Sequence, residues 1–356
     1  MTSNITLPAG WVISHEDPNL INDLLPYQYI NIGIGGGGIF LNLVLLSILI
    51  SSKYFLNNGR LTILLCIGDL INCLYICLQG YQRSAIYANI LNYHILRPMT
   101  YWTCALMPFD FTGIIGSLLT HMVTLVMGLE RIIALKFPVI FKRYFSNNQI
   151  VPTIFCIGYV VISVIIAFIL AFLKRNVPTK YYCGRKASYT AGYTSFIYVM
   201  NIVGYSVCFL LTIVVMLHIK ITSKESLEKK KEIKKNHDKK YLNDVDKRII
   251  KNYHRIKTIV FISFISTITI AFPNFISLGS AIFGSLSVAL SDVSDWISVF
   301  KSSINFFVYI LMHNEFQSHL FGKMLKIRKF NNKTELKTVA CKKVIDIKKK
   351  KRMTLL

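Results

Sequence analysis

Long apolar blocks alternate with short polar or charged intervals along this chain. Seven blocks, near residues 29–51, 61–81, 103–134, 151–173, 194–221, 256–280 and 293–313, are dominated by apolar side chains. Each holds roughly 20 or more residues, enough for a helix rising 1.5 Å per residue to cross about 30 Å of hydrocarbon. The fourth carries no charge from Val151 to Phe172, the second encloses one acid, Asp69, and the seventh one deep base, Lys301. The pattern predicts an all-α membrane protein, a seven-transmembrane helix bundle over 29–313 that follows an N-terminal segment, 1–28. Beyond it, Phe316, Leu320, Phe321, Met324 and Leu325 recur at helical spacing among basic residues. A short amphipathic helix lying on the membrane is expected over 314–328, followed by a basic tail, 329–356. The charged interval from Thr222 to Lys257 is expected to extend the fifth and sixth helices around a mobile middle.

Charge orients the bundle. Of 41 Lys and Arg, 33 fall in the first, second and third alternate loops and the tail on one side, 7 fall on the other side, and Lys301 lies within the seventh block. Basic residues favour the cytoplasm, which predicts the N-terminus outside and the C-terminus inside. The net charge of +24 is then mostly cytoplasmic and draws the chain to anionic inner-leaflet lipids rather than to nucleic acid. The first 28 residues carry no Lys or Arg and no signal-peptide core, so the first span is expected to insert the protein itself. Asn4-Ile5-Thr6 is a glycosylation acceptor on the expected outer side.

Eight cysteines are present. Cys66, Cys73, Cys77, Cys156 and Cys208 lie within spans and read as small apolar core residues. Cys341 falls in the tail. Cys104 and Cys183 are the pair on the outer side, where an oxidising environment favours a disulfide between them. Gly33 to Gly38 formally matches a dinucleotide-binding pattern, but no strand precedes it and no βαβ unit follows. Gly33 and Gly37 instead suit close helix packing. His121, alone in the third span, reads as a packed core residue. No HExxH, buried carboxylate pair or His cluster appears, so neither an enzyme nor a metal or cofactor site is expected.

In order along the chain stand Asn42, Cys66-Ile67-Gly68-Asp69, Trp102 and Cys104, Glu130-Arg131, Cys183, Phe272-Pro273 and Asn305-Phe306-Phe307-Val308-Tyr309. Together with seven spans they resemble a rhodopsin-like G protein-coupled receptor over about residues 30–325. The wording Gly128-Leu129-Glu130-Arg131-Ile132-Ile133-Ala134-Leu135-Lys136-Phe137-Pro138 is most similar to nematode serpentine chemoreceptors of class SX. The resemblance implies a plasma-membrane receptor that binds an extracellular chemosensory cue, peptide or amine and activates a heterotrimeric G protein. A transporter or channel is the alternative, but it calls for more deep charges than Asp69 and Lys301, and no inverted repeat is visible.

The resemblance assigns G protein coupling to Glu130 and Arg131, with the acid restraining the arginine at rest. It assigns the activation switch to Asn42, Asp69, Thr120, Pro273, Lys301, Ser302, Asn305 and Tyr309. In the family the acid matching Asp69 holds a sodium ion with hydroxyls and an Asn. Here Lys301 falls four residues before Asn305, on nearly the same helix face, and either supplies that cation internally or points to water and headgroups. A retinal-linked lysine would stand at Val299, about 200° around the helix from Lys301. Asp110, Asp295 and Trp296 border the expected ligand pocket. Asp110 has two candidate roles, contact with a cationic ligand group or pairing with Lys174, Arg175 or Arg185. The chain departs from the family where Ala271 replaces a Trp and Phe306 a Pro, and where the spacing from Cys104 to Arg131 is two residues longer than the family's. The inner end of the sixth helix also lacks an acid, which leaves Glu130 as the expected restraint on Arg131.

Overall fold

The computed structural model describes residues 12–14, 17–146, 149–233, 267–269, 274–276, 278–279 and 288–312. Asn4, Pro273, the helix expected over 314–328 and the basic tail lie outside them, as do the side chains of Asp295 and Tyr309. The chain divides into two units, residues 1–306 and 307–356. In the second, the described part is the end of the last helix, residues 307–312.

The first unit is helical. Its elements are α1 (Pro18–Ser51), α2 (Lys53–Asn58), α3 (Arg60–Tyr93), α4 (Tyr101–Ala105), α5 (Pro108–Lys136), α6 (Pro138–Phe141), α7 (Ile150–Leu173), α8 (Arg185–Ser188), α9 (Ala191–Ile233) and α10, which starts at Val288 and ends at Met312 in the second unit. One π-helical turn, Lys142–Ser146, follows α6. Two short antiparallel ribbons join loops at one end of the bundle. Val12–Ile13 (β1) pairs with Ile95–Leu96 (β2), and Met99–Thr100 (β3) pairs with Pro178–Thr179 (β4).

Among the described residues, five helices are long and apolar enough to cross a membrane: α1, α3, α5, α7 and the Ala191–His218 part of α9. In α7 burial is inverted relative to a water-soluble fold. In α7 the enclosed positions are Pro152, Cys156, Val160, Ser163, Ala167 and Ala171, mostly small and spaced by three or four. Its exposed positions include Ile154, Phe155, Ile162, Ile165, Ile169 and Leu173. Large apolar side chains facing outward along a whole helix suit lipid rather than water.

α5 is central, packed against α3, α7 and α9. It begins at Pro108 rather than inside the apolar block that opens at residue 103. Thr100 and Thr103 form a reciprocal cap on the separate helix α4, the chain turns at Leu106 and Met107, and Pro108 starts α5 where its missing N–H costs nothing. α3 runs twelve residues beyond the block expected to end at 81.

α1 meets α3 through one face, Gln28, Asn31, Gly35, Gly38, Asn42, Leu45 and Leu49. A β-carbon on Gly35 would stand 2.8 Å from the Cys77 backbone nitrogen, and one on Gly38 2.7 Å from Cys73 Sγ. Gly33 and Gly37 have open space instead. The packing glycines are therefore Gly35 and Gly38, because the three-and-four rhythm of the contact face skips 33 and 37.

Candidate functional site

Three polar groupings lie in this apolar frame. The first is in the middle of the bundle. Asp69 of α3 is 1% exposed and Lys301 of α10 is 4% exposed, and Lys301 Nζ lies 3.1 Å from Asp69 Oδ1. Ser302 Oγ donates to the same oxygen at 2.9 Å, and Asn305 Nδ2 donates to Oδ2 at 2.6 Å. One turn of α10 thus presents three donors to one carboxylate. The ammonium also sits over the Tyr205 ring, 5.7 Å from its centroid. Of the two orientations open to Lys301, the structure has the inward one.

Asn42 and Thr120 bond elsewhere. Asn42 Nδ2 donates to the Gly38 carbonyl at 2.9 Å and to Cys73 Sγ at 3.6 Å. The Thr120 hydroxyl donates back to Gly116 O at 2.9 Å and accepts from Asn72 Nδ2 at 3.4 Å. His121 is fully buried, with Nδ1 3.0 Å from Ser117 O and its ring edge-on to Tyr159.

The second grouping pins a loop to one end of the bundle. Cys104 of α4 and Cys183 form a disulfide. Arg83 of α3 donates through Nε to Tyr182 O and through Nη2 to Cys183 O, both at 3.2 Å. Gln79, with its amide oxygen turned toward Arg83, accepts from Nη1 and Nη2 at 2.9 Å. Cys183 has φ 46° and Gly184 φ 134°, so the chain turns through left-handed backbone at this point.

Asp110 is 0% exposed and accepts a hydrogen bond from the Ser188 hydroxyl, with Arg83 and Arg185 adding favourable charge. It is sealed beneath α8 and does not face an open mouth. Lys174 and Arg175 are engaged elsewhere, over the rings of Tyr101 and Phe172. Trp296 turns to α1, where its indole N–H donates to Asn31 Oδ1 and its ring stacks on Tyr27.

The third grouping lies at the opposite end of α5. Gln149 Nε2 donates to Glu130 Oε1 at 3.0 Å. The oxygen of the same amide accepts from the Leu61 backbone N–H at 3.3 Å. Leu61 stands in the first turn of α3, whose N-cap, Gly59, offers no side chain. Gln149 therefore fills a helix-start vacancy with one end and binds the acid with the other. Arg131 Nη1 donates to Thr212 Oγ1 of α9 at 2.8 Å. Each member of the acid–arginine pair so has a partner on another segment.

Reading the sequence misses Gln149, Thr212 and Arg83. A clue to Gln149 is the uncapped start at Gly59-Arg60-Leu61, which needs an acceptor from elsewhere. Arg83 stands just past an apolar block and reads as a loop residue, but the extension of α3 carries it into the bundle at 7% exposure.

The family model for the serpentine type seven-transmembrane G protein-coupled chemoreceptor Srsx matches residues 37–324. A comparison with curated proteins yields no match. The matched region takes in all three groupings, and the family is one of receptors rather than enzymes. With several helices apolar enough to cross a bilayer, the chain is a multi-pass plasma-membrane protein. It belongs to the serpentine seven-transmembrane G protein-coupled chemoreceptor family Srsx.

Proposed function

We propose that this receptor crosses the membrane seven times with its N-terminus outside, binds an extracellular ligand, and activates a heterotrimeric G protein through Arg131. The observation that carries the reading is the layout of α5. Ser117, which borders an enclosed polar cavity, and Arg131, which reaches Thr212, lie fourteen residues apart on one unbroken helix. At 1.5 Å per residue that is about 21 Å. A shift imposed at the cavity reaches the far end through a rigid rod.

Lys and Arg concentrate on the Arg131 side of the expected topology, which supports placing that end in the cytoplasm beside anionic lipids. Glu130 and Arg131 form the coupling element in this reading. Asp69, Lys301, Ser302 and Asn305 form the central switch, with Asn42 and Thr120 bracing the adjoining backbones. Pro273 supplies a hinge, since it lacks an N–H for the helical ladder, and Tyr309 lies one turn beyond Asn305. Cys104–Cys183 anchors the ligand-side loop, and Asn4 is the glycosylation site. Asp110, Asp295 and Trp296 shape the ligand-side end.

The test is expression with a promiscuous G protein and a screen of odorants, peptides and amines by calcium release. An active compound should lose its effect on the Arg131→Ala receptor at unchanged surface expression. A full response from Arg131→Ala would overturn the coupling role.

A further inference from the structure

The connection between α5 and α7 presents an amphipathic surface. Lys136 ends α5, α6 follows from Pro138 to Phe141, and the π-helical turn runs from Lys142 to Ser146. Two rings hold this segment against the bundle. Phe141 and Phe145 stack nearly parallel, 6.2 Å apart, and Phe145 packs against the core cluster that includes Cys156 and Val160 of α7. The other large side chains stay outside. Val139 is 80% exposed and Phe137 56%, with Ile140 and Tyr144 exposed beside them. Four large apolar side chains on one short segment form a patch that calls for a covering partner.

The charge on the segment has one sign. Pro138, Val139, Lys142 and Arg143 line a shallow groove of about 450 Å³, two apolar residues and two cations. Lys136 is exposed next to Phe137. Residues 131–224 contain no Asp or Glu, and Glu130, the acid just before that run, accepts from Gln149. Among the described residues the side chains of Lys136 and Lys142 make no hydrogen bond or ion pair. Arg143 lies over the Tyr144 ring, 5.4 Å from its centroid, a contact that keeps it at this surface.

An acidic protein surface would answer the cations and leave the apolar side chains without a matching layer. An anionic bilayer surface answers both. Apolar side chains enter the acyl boundary while the Lys and Arg stems reach back to the head groups. Arg143 can hold a phosphate through two N–H donors, and Lys142 adds a point charge. α7 continues the surface, since Ile150, Val151, Ile154 and Phe155 are exposed along its first turns.

We propose that residues 136–144 form a membrane-surface anchor that takes the phosphate-bearing head group of an anionic phospholipid, with Lys142 and Arg143 on the head group and Phe137 and Val139 in the acyl boundary. The proposal rests on the topology of the receptor reading, which puts this end of α5 in the cytoplasm, and it assigns the attraction for anionic lipid to one site. The test uses full-length receptor carrying Val139→Trp in phosphatidylcholine nanodiscs. The lipid is replaced stepwise by phosphatidylserine brominated on its chains or, separately, by brominated phosphatidylcholine. Bromine quenches tryptophan on contact, and subtracting the signal of receptor without the substitution isolates position 139. Nucleotide exchange on an added G protein reports signalling.

Both lipids should quench, the serine lipid at a much lower fraction than the choline lipid. A cation near an anionic surface adds about 5-fold in affinity, so Lys136→Gln/Lys142→Gln/Arg143→Gln should erase the preference, a change of up to about 100-fold. Arg143→Gln alone should lose about 5-fold, which keeps the test valid if the triple variant does not fold. Lys348→Gln/Lys349→Gln/Lys350→Gln, in the tail, should leave the preference intact. A preference for the serine lipid without nucleotide exchange would uphold the inference and count against the receptor reading. Exchange without the preference would do the reverse. Equal quenching by the two lipids, or a preference that survives the triple variant, would overturn the proposal. Quenching by neither lipid, with exchange lost in Arg143→Gln, would overturn it too and give this surface to the G protein.

Discussion

Replacing Lys301 with Asn should reveal what the buried pair contributes. At 3.1 Å, and with an effective dielectric of about 20, the gross attraction to Asp69 is about 5 kcal/mol. Desolvation of both groups offsets much of this, so the pair itself adds little net stability. Removing one partner is different. Asp69, 1% exposed, would keep only the Ser302 and Asn305 donors against its full charge. Breaking a buried pair in this way costs about 3–5 kcal/mol. At about 2–4 °C per kcal/mol, the melting temperature of purified receptor should fall by roughly 6–20 °C.

Two further variants separate the causes. Asp69→Asn combined with Lys301→Asn removes both charges and should recover most of the loss. The single Lys301→Asn receptor should also gain stability from sodium but not from choline, because a small cation can enter where the ammonium was. At sodium ten times its dissociation constant the gain would be about 1.4 kcal/mol, while wild type should not respond. A Lys301→Asn receptor that melts with wild type, or a double variant no better than the single one, would refute the argument.

Three other outcomes follow from the same geometry. Glu130→Gln keeps a hydrogen bond to Gln149 but removes the charge beside Arg131, so ligand-independent nucleotide exchange should rise; an unchanged rate would refute its restraining role. Gln149→Leu deletes one charge-assisted and one neutral hydrogen bond and should cost about 2–4 kcal/mol by thermal unfolding. Gln149→Glu, which still accepts from Leu61 but confronts Glu130 with a second carboxylate, should melt lower than the Leu variant; the opposite order would show that the Leu61 contact dominates. Cys183→Ser opens a loop with a sequence separation of 79 and should cost about 4.5 kcal/mol, the Cys104→Ser/Cys183→Ser double variant costing no more than the single.

What the sequence revealed depended on how local the physics was. Spans were legible because twenty apolar residues suffice to mark one, and α7 follows its block almost residue for residue. Helix extensions were not, since α3 continues through Gln82-Arg83-Ser84, polar residues that a hydropathy reading assigns to a loop. There the helix is held by tertiary contacts: Arg83 donates to the carbonyls beside the disulfide, and a residue counted as solvent-facing becomes a clamp. Asp69 and Lys301 stood out because a charge in hydrocarbon demands an explanation. Gln149 did not, being an uncharged side chain next to an ordinary helix start.

The consequence concerns how rest is maintained. From sequence, the missing acid on the sixth helix leaves Glu130 as the restraint on Arg131. In the structure Gln149 donates to Glu130 and Arg131 donates to Thr212, so on the proposed reading the restraint on the arginine is shared with two neutral side chains. Neutral partners give way at lower cost than a desolvated ion pair. Among the described residues a desolvated ion pair lies in the middle of the bundle, at Asp69 and Lys301, while Gln149 and Thr212 supply neutral contacts beside Glu130 and Arg131. On the proposed reading, a ligand that shifts α5 releases those two neutral contacts for only a few kcal/mol of differential affinity between the two states.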